Sequence, residues 1–187
     1  MKILIVNSSD LNGGAARASY RLHRSLLDSG MDSQMLVQDK LSDDHTVIGP
    51  STKIQKGLAK VRPALDNLPL SLYTNRQRIP FSTSWLGFSG IINKINKINP
   101  DIVHLHWICG GMMTIEDIAR IKCPVVWSLH DMWAFTAGSH YAVCEGYKEK
   151  EGNCMSLRSK QKFNLSSRIF RRKHKTYSKK NDITIVG

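Results

Sequence analysis

A strand, a glycine turn and a helix follow one another in the first 30 residues. Residues 1–6 form an apolar run with flanking polar residues, which is typical of a strand buried on both faces of a parallel sheet. Residues 15–29 carry apolar side chains at helical spacing, and Gly30 follows where a helix often ends on glycine. A short strand predicted at 34–37 completes a strand-helix-strand unit, which favours an α/β fold.

The turn itself contains Gly13 and Gly14 and lies at the carboxyl end of the first predicted strand. Because these residues lack Cβ atoms, the backbone can bend sharply and approach a ligand, and the first N–H groups of the helix attract phosphate or carboxylate. A tight turn that binds nothing remains an alternative. The spacing is not Gly-x-Gly-x-x-Gly, so an ordinary dinucleotide site is disfavoured.

The remaining pattern extends the same design. Further strands are predicted at 47–48, 101–107, 124–131 and 183–187, and helices at 53–61, 90–98, 112–121 and, rich in basic residues, 157–180. Prolines interrupt an irregular excursion at about 41–80, which we expect to be variable and partly mobile. Taken together, the pattern predicts a Rossmann-like parallel sheet flanked by helices, within one domain spanning residues 1–187.

Composition limits the compartment and the partners. With 187 residues, four cysteines and no apolar run long enough for a membrane span or a secretory signal, the chain is expected in the cytoplasm. The formal net charge is +12, and residues 144–187 hold twelve Lys/Arg against four Asp/Glu. Such a segment attracts phosphates of nucleic acid, of an anionic membrane or of a substrate, unless it is only a solvated helix face. No recognition motif supports nucleic acid, so none is predicted as a partner.

Histidines lie at the ends of two predicted strands. His104 and His106 are two residues apart and therefore point to one face of their strand, and His130 ends the next strand beside Asp131. Imidazoles at strand ends suit hydrogen bonding to a sugar or phosphate, or proton transfer, and Asp131 could orient His130 or accept from a hydroxyl. For His104 a structural role in the core is an equal alternative.

A metal site is a weaker interpretation. His140, Cys144 and Cys154 could bind zinc with Cys109 or Cys123, but the sequence lacks a Cys-x-x-Cys pair. Cys109 and Cys123 are expected in the core or in loops. We therefore predict neither a metal nor another cofactor.

Three motifs are distinctive: Gly-Gly-Ala-Ala-Arg at 13–17, Asp-Ile-Val-His-Leu-His-Trp at 101–107 and Trp-Ser-Leu-His-Asp-Met-Trp-Ala-Phe-Thr at 127–136. Together they resemble the N-terminal domain of GT-B glycosyltransferases of family 4, most of all bacterial enzymes of capsule, exopolysaccharide and O-chain assembly. The resemblance implies the N-terminal, acceptor-side half of a two-domain enzyme. Such an enzyme transfers a sugar from a nucleotide-sugar donor, with retention of configuration, to a glycan or lipid-linked acceptor.

The same resemblance implies roles for individual residues. Gly13 and Gly14 would approach the donor diphosphate, and His130 would be the catalytic residue that contacts the transferred sugar. Arg17, His106 and Asp131 would line the acceptor side. No bound metal is implied, and relatives often carry more cysteines than Cys144 and Cys154 in this region.

The last predicted strand resembles the one that leads toward a donor-binding domain, so that domain is expected to be absent from this chain and catalysis by it alone to be incomplete. The basic region 157–180 is expected to allow peripheral contact with the inner face of the membrane. A non-catalytic glycan-binding or partner module with the same fold is the alternative function.

Overall fold

One parallel sheet organises the chain. Within the described residues of the computed structural model, which are 1–86, 90–141, 157–158 and 164–187, six strands pair in parallel. The strands are β1 (Lys2–Ser9), β2 (Asp32–Asp39), β3 (Val47–Ile48), β4 (Ile102–Leu105), β5 (Val125–Ser128) and β6 (Ile183–Val186). Their order across the sheet is β3-β2-β1-β4-β5-β6. The predicted α/β, Rossmann-like fold is therefore confirmed, and the strand order reverses between β1 and β4, where open α/β sheets bind ligands.

Helices connect these strands. In the described part of the chain they are α1 (Gly14–Asp28), α2 (Lys53–Asp66), a 3₁₀ helix (Leu68–Leu72), α3 (Ile91–Ile98), α4 (Ile115–Ile118) and α5 (Leu165–Tyr177). Gly30 has φ 76° and follows α1, as the sequence predicted. No helix within the described ranges is both long enough and apolar enough to cross a membrane.

The alternation of side chains along β1 divides the core between the two faces of the sheet. Ile3 and Ile5 pack with Met35 against α1. Leu4 and Val6 face the other way, into the larger core that α3, α4 and α5 cover. Because a strand buried on both faces needs apolar residues at consecutive positions, this explains the continuous apolar run in the sequence.

The excursion predicted at 41–80 contains β3, α2 and the 3₁₀ helix. The prediction that α2 covers 53–61 was too short, because the helix continues through Pro63 to Asp66. Asp66 is buried, and its carboxylate accepts hydrogen bonds from the backbone N–H groups of Ser84 and Trp85, each at 3.2 Å. These contacts with a distant segment hold the last turn of the helix.

Two other helices are shorter than predicted. Helix α4 covers Ile115–Ile118 rather than 112–121, since a capping box of Thr114 and Asp117 fixes its start. After Ile118 the chain makes tighter turns, with the N–H of Ile121 bonded to the carbonyl of Ile118. Helix α5 begins at Leu165, where the Asn164 side chain caps it, and residues 159–163 of the predicted basic helix lie outside the described residues.

Candidate functional site

The turn between β1 and α1 leaves the start of the helix open. Gly13 precedes α1 with φ 97°, a conformation that side chains rarely adopt, and the Arg17 N–H donates to its carbonyl at 3.1 Å. No side chain of the described residues caps α1, and its first turn contains no acidic residue. The N–H groups at the start of this 15-residue helix are therefore available to an anion.

This turn lines a cleft of about 560 Å³, here named the glycine cleft. Its walls come from the ends of β1 and β2, from the inner side of α2 and from the segment after β4. The lining residues are Asn7, Ser8, Ser9, Asn12, Gly13, Gly14, Ala15, Ala16, Gln38, Asp39, Ala59, Lys60, Pro63, Trp107 and Gly110. The cleft thus lies at the carboxyl ends of the strands, at the point where the strand order reverses.

Asn7 fixes the floor of the glycine cleft. This residue is fully buried; its Oδ1 accepts from the Trp107 N–H at 2.7 Å, and its Nδ2 donates to the Ser9 carbonyl at 2.6 Å. The Ser8 N–H in turn donates to the Trp107 carbonyl at 2.8 Å. One buried amide thereby joins the glycine turn to the segment that follows β4.

Three histidines form a row on the face of the sheet that α1 also covers. His104 and His106 stack with ring centroids 4.5 Å apart, and His106 and His130 stack at 5.1 Å. The Nδ1 of His106 lies 2.8 Å from the Nε2 of His130, so one nitrogen donates and the other accepts, while His104 Nε2 bonds to the Ser128 hydroxyl at 2.9 Å. We call His104, His106 and His130 the histidine row.

The environment keeps these imidazoles neutral near pH 7. Burial, helped by the other two histidines, lowers the pKa of His106 to about 3. Burial and the neighbouring His130 also lower the pKa of His104. Burial lowers the pKa of His130 as well, although Asp131 acts in the opposite direction. His130 nevertheless has an exposed side chain, so it presents a neutral imidazole whose orientation His106 fixes.

His106 itself does not reach open surface. It is 5% exposed, and its Nε2 is buried without a hydrogen-bond partner among the described residues. A cavity of only about 10 Å³ lies between it, His130 and Asp131. Its contact in this structure is thus with His130, and a direct contact with an acceptor stays a prediction.

Asp131 organises the segment after β5. Its Oδ2 accepts from the Trp107 indole N–H at 3.0 Å and from His140 Nδ1 at 2.6 Å, and its Oδ1 accepts from the Trp133 N–H at 2.8 Å. Burial alone raises the pKa of Asp131, but these hydrogen bonds, that of His140 first, bring it below its ordinary value. Asp131 is therefore an ionised carboxylate that links the glycine cleft, through Trp107, to the loop after β5.

His140 is committed to this network. Its Nδ1 bonds to Asp131, and its Nε2 bonds to the Ser82 hydroxyl at 2.8 Å. Both ring nitrogens thus have protein partners, which does not fit the zinc alternative. Cys144 and Cys154, the other residues of that alternative, lie outside the described residues, whereas Cys109 is buried and Cys123 is half-buried, as expected.

A second cavity, of about 330 Å³, adjoins the glycine cleft and shares Pro63, Trp107 and Gly110 with it. His140 and Arg76 are among its other lining residues. The two cavities together give a ligand room to extend from the glycine turn across Trp107.

Helix α5 packs against the loop after β5 and holds it in place. The buried Lys173 ammonium group donates to the carbonyl oxygens of Trp133 and Thr136 and lies 3.7 Å from the centre of the Trp133 ring. Burial lowers the pKa of Lys173 to about 7. Arg172 pairs with Glu116 of α4 through two contacts of 2.6 Å. These two basic residues of the predicted basic region thus hold the fold together.

The structure places the predicted site residues in two groups. Gly13 and Gly14 line the cleft, while His106, His130 and Asp131 lie close together after β4 and β5. Arg17 is exposed on α1 and does not line the glycine cleft, and its side chain makes no hydrogen bond or ion pair with the described residues. Sequence reasoning missed three residues that support the site, Asn7, Trp107 and Lys173. The polar Asn7 directly after an apolar run was the one available hint.

Comparison with known proteins now decides the family. A family model described as glycosyl transferase 4-like matches residues 55–175, more than half of the chain. The chain belongs to the glycosyl transferase 4-like family. No curated protein and no solved structure matches it. The match includes the histidine row and Asp131 but begins after the glycine turn, and membership indicates glycosyl transfer in general, with a sugar donor and an acceptor as substrates.

Proposed function

We propose that this chain is the acceptor-side, N-terminal domain of a GT-B glycosyltransferase. It takes part in moving a sugar from a nucleotide-sugar donor to a glycan or lipid-linked acceptor in cell-surface polysaccharide synthesis. The carrying observation is the uncapped start of α1, which opens into a cleft at the point where the strand order reverses. Family membership supports the same proposal, and so does the exposed, neutral His130, which shares a small cavity with the cleft residue Trp107.

The glycine turn has the chemistry that a leaving diphosphate needs. When the bond between the anomeric carbon and the diphosphate breaks, negative charge develops on the diphosphate oxygens. N–H groups at the start of α1 are fixed dipoles aimed at that charge and stabilise it without reorganisation. Gly14 has space around it, since an added Cβ would meet no atom within 4 Å, and this lets a phosphate approach the backbone.

His130 is proposed to contact the transferred sugar. Its neutral ring can donate to or accept from a sugar hydroxyl, and His106 holds the ring in place through the 2.8 Å contact. Asp131 and His106 are proposed to line the acceptor side of the site. There Asp131 positions Trp107, which lies at the boundary of the two cavities. Arg17 stays proposed as an acceptor contact, because it is an exposed cation on the first turn of α1.

A cytoplasmic location with peripheral contact at the inner membrane face also belongs to the proposal. In α5, Arg168, Arg171 and Lys175 are exposed, whereas Arg172 and Lys173 point into the protein. The membrane contact predicted for 157–180 therefore rests on fewer cations than the sequence suggested.

The proposal is tested in the source cells, where any partner of the chain is present. The native residue is replaced by His130→Ala, and incorporation of labelled sugar into lipid-linked or polymeric glycan is measured. His45→Ala is the matched control, because His45 is exposed in the loop before β3. We expect incorporation to fall at least tenfold in His130→Ala and to stay unchanged in the control, by analogy with the loss of one positioned catalytic group.

Two outcomes would count against the proposal. Equal incorporation in both variants would remove His130 from catalysis. Normal incorporation in cells that lack the chain altogether would favour the non-catalytic glycan-binding or partner module.

A further inference from the structure

Six apolar side chains form an exposed stripe along α2 and the 3₁₀ helix. Their positions are separated alternately by four and three residues, so the four on α2 lie along one side of that helix, and the other two follow on the 3₁₀ helix. Each is between 41% and 83% exposed. The members of this apolar stripe are Ile54, Leu58, Val61, Leu65, Leu68 and Leu72. A contiguous apolar surface of this kind marks an interaction site rather than scattered exposed residues.

Within the described residues, the stripe side chains belong to none of the apolar core clusters. Helix α2 attaches to the domain through a different side, where Ala59 and Asp66 are buried and Arg62 donates to the Gly111 carbonyl at 3.1 Å. The stripe side chains are thus left for a contact outside the described residues.

The stretch of sequence that contains the stripe is strongly basic. Lys53, Lys56 and Lys60 share one exposed face of α2, at spacings of three and four residues. Between residues 45 and 100 the only acidic residue is the buried Asp66. The basic residues of that range are Lys53, Lys56, Lys60, Arg62, Arg76, Arg78, Lys94 and Lys97.

We infer that the apolar stripe docks on an anionic lipid bilayer, with α2 lying in the plane of the membrane interface. A helix with leucines on one side and lysines on another is the type that binds this interface, and anionic lipids strengthen its attachment about fivefold for each lysine near the surface. A second copy of the chain is a poorer occupant, because it would bring a further set of lysines against the first.

The position of the stripe relates it to the glycine cleft. Ala59, Lys60 and Pro63 of α2 line that cleft, with Lys60 at its exposed edge. A bilayer bound to the stripe would therefore lie about one helix diameter, roughly 10 Å, from the cleft. This docking does not depend on the proposed sugar transfer, but it would suit an acceptor that is anchored in lipid.

Vesicle flotation tests the inference on the 187-residue chain. The vesicles are phosphatidylcholine alone, or phosphatidylcholine with about one third phosphatidylglycerol, and the apparent partition coefficient is measured. The stripe variant is Ile54→Ser/Leu58→Ser. Leu41→Ser is its matched control, since Leu41 is 55% exposed and Leu58 is 51% exposed, but Leu41 lies off α2. Arg168→Gln/Lys175→Gln on α5 and Lys53→Gln/Lys56→Gln on α2 separate the two basic surfaces.

We expect the wild type to bind anionic vesicles and the stripe variant to bind them at least tenfold more weakly, about fivefold for each half-exposed side chain removed. Lys53→Gln/Lys56→Gln should weaken binding to a similar degree, and Leu41→Ser should not. Urea unfolding of each variant shows that the fold is intact.

Three results would overturn the inference. One is equal binding to neutral and anionic vesicles, and another is loss of binding only in the α5 variant, which would place the contact on α5. The third is a wild type that does not bind vesicles but forms a dimer that Ile54→Ser/Leu58→Ser dissociates, since the occupant would then be a second copy. None of these results depends on sugar incorporation, so failure here is distinguishable from failure of the proposed function.

Discussion

Replacing Asp131 by Asn changes only one side-chain oxygen into an NH₂ group, yet it should strongly destabilise the domain. The carboxylate accepts three hydrogen bonds, two on Oδ2 from Trp107 and His140 and one on Oδ1 from the Trp133 N–H. An amide has one oxygen, so it can keep at most the two bonds on one side. Its NH₂ group must then face at least one of the N–H donors that the carboxylate accepted from, and the former hydrogen bond becomes a contact between two donors.

The size of the effect follows from these contacts. Leaving the buried Trp133 N–H unsatisfied costs about 1–3 kcal/mol. The two retained bonds also weaken, because hydrogen bonds to a charged acceptor contribute about 1 kcal/mol more than neutral ones. We expect Asp131→Asn to lower the free energy of unfolding by roughly 2–4 kcal/mol at pH 7. That is a large fraction of the ~5–15 kcal/mol that holds an ordinary domain.

Urea unfolding at pH 7 measures this difference, and Asp43→Asn is the control. Asp43 is an exposed carboxylate in the loop before β3, and its side chain makes no hydrogen bond or ion pair with the described residues, so its replacement should change stability by less than about 0.5 kcal/mol. A loss below about 1 kcal/mol in Asp131→Asn, or an equal loss in Asp43→Asn, would refute the claim that Asp131 organises the loop after β5.

The pH dependence gives a second check. The pKa of Asp131 is lowered in the folded protein, so its contribution to stability is complete above the ordinary carboxyl pKa of about 3.9 and declines as the pH falls through the lower folded value. The difference between the wild type and Asp131→Asn should therefore be constant from pH 7 to pH 5 and shrink below pH 4. A difference that grew on acidification would contradict an ionised carboxylate at this position.

Three further predictions concern the turn, a tight packing contact and the buried lysine. Gly13→Ala should lower the free energy of unfolding by about 1–2 kcal/mol, because Gly13 has φ 97°. Gly14 has open space around it and an ordinary φ, so Gly14→Ala should leave stability nearly unchanged. Gly14→Ala should nevertheless weaken the binding of UDP or GDP, which is measured by NMR titration of the glycine-turn amides. Gly138→Ala should cost at least about 2 kcal/mol in urea unfolding, since φ is 113° and the new Cβ would overlap the Phe81 ring. Lys173 has a folded pKa of about 7 and an unfolded pKa of about 10.4, so between these two pH values the unfolded chain binds more protons than the folded one. The free energy of unfolding therefore rises with pH, by up to about 1.4 kcal/mol per pH unit. Lys173→Met should lack that rise when unfolding is measured at pH 7, 8 and 9.

The sheet was predictable because each of its strands has a pattern of adjacent residues that identifies it. A strand buried on both faces needs consecutive apolar residues, and a strand with polar side chains at its end shows where the carboxyl edge lies. The placement of His104 and His106 on one face also followed from the two-residue period of a strand. The glycine turn was predictable for the same reason, since its conformation is a property of adjacent residues.

Contacts between distant residues could not be predicted in this way. The contact of His106 with His130 joins two strands 24 residues apart, and nothing in either motif specifies the distance between them. The same holds for Lys173, which the sequence shows only as one member of a basic helix but which lies buried against Trp133. The extension of α2 past Pro63 likewise depends on Asp66 meeting backbone N–H groups of another segment, which outweighs the local preference of proline to end a helix.

The charge state of the histidine row determines which ligand groups it can bind. An imidazole attracts phosphate strongly only when it is protonated, and the lowered pKa values of His104, His106 and His130 keep all three neutral near pH 7. Attraction of an anion to the site must therefore come from elsewhere, and the uncapped start of α1 and Lys60 both line the glycine cleft. The neutral His130 is better matched to hydroxyl groups, which need a donor or an acceptor but no charge. If the proposed function is correct, phosphate and sugar are thus recognised by different elements of the fold. Acidification below pH 6 should then not strengthen the binding of UDP, because the protein groups that hold phosphate do not titrate there and the terminal phosphate, with a second pKa of about 6, loses charge.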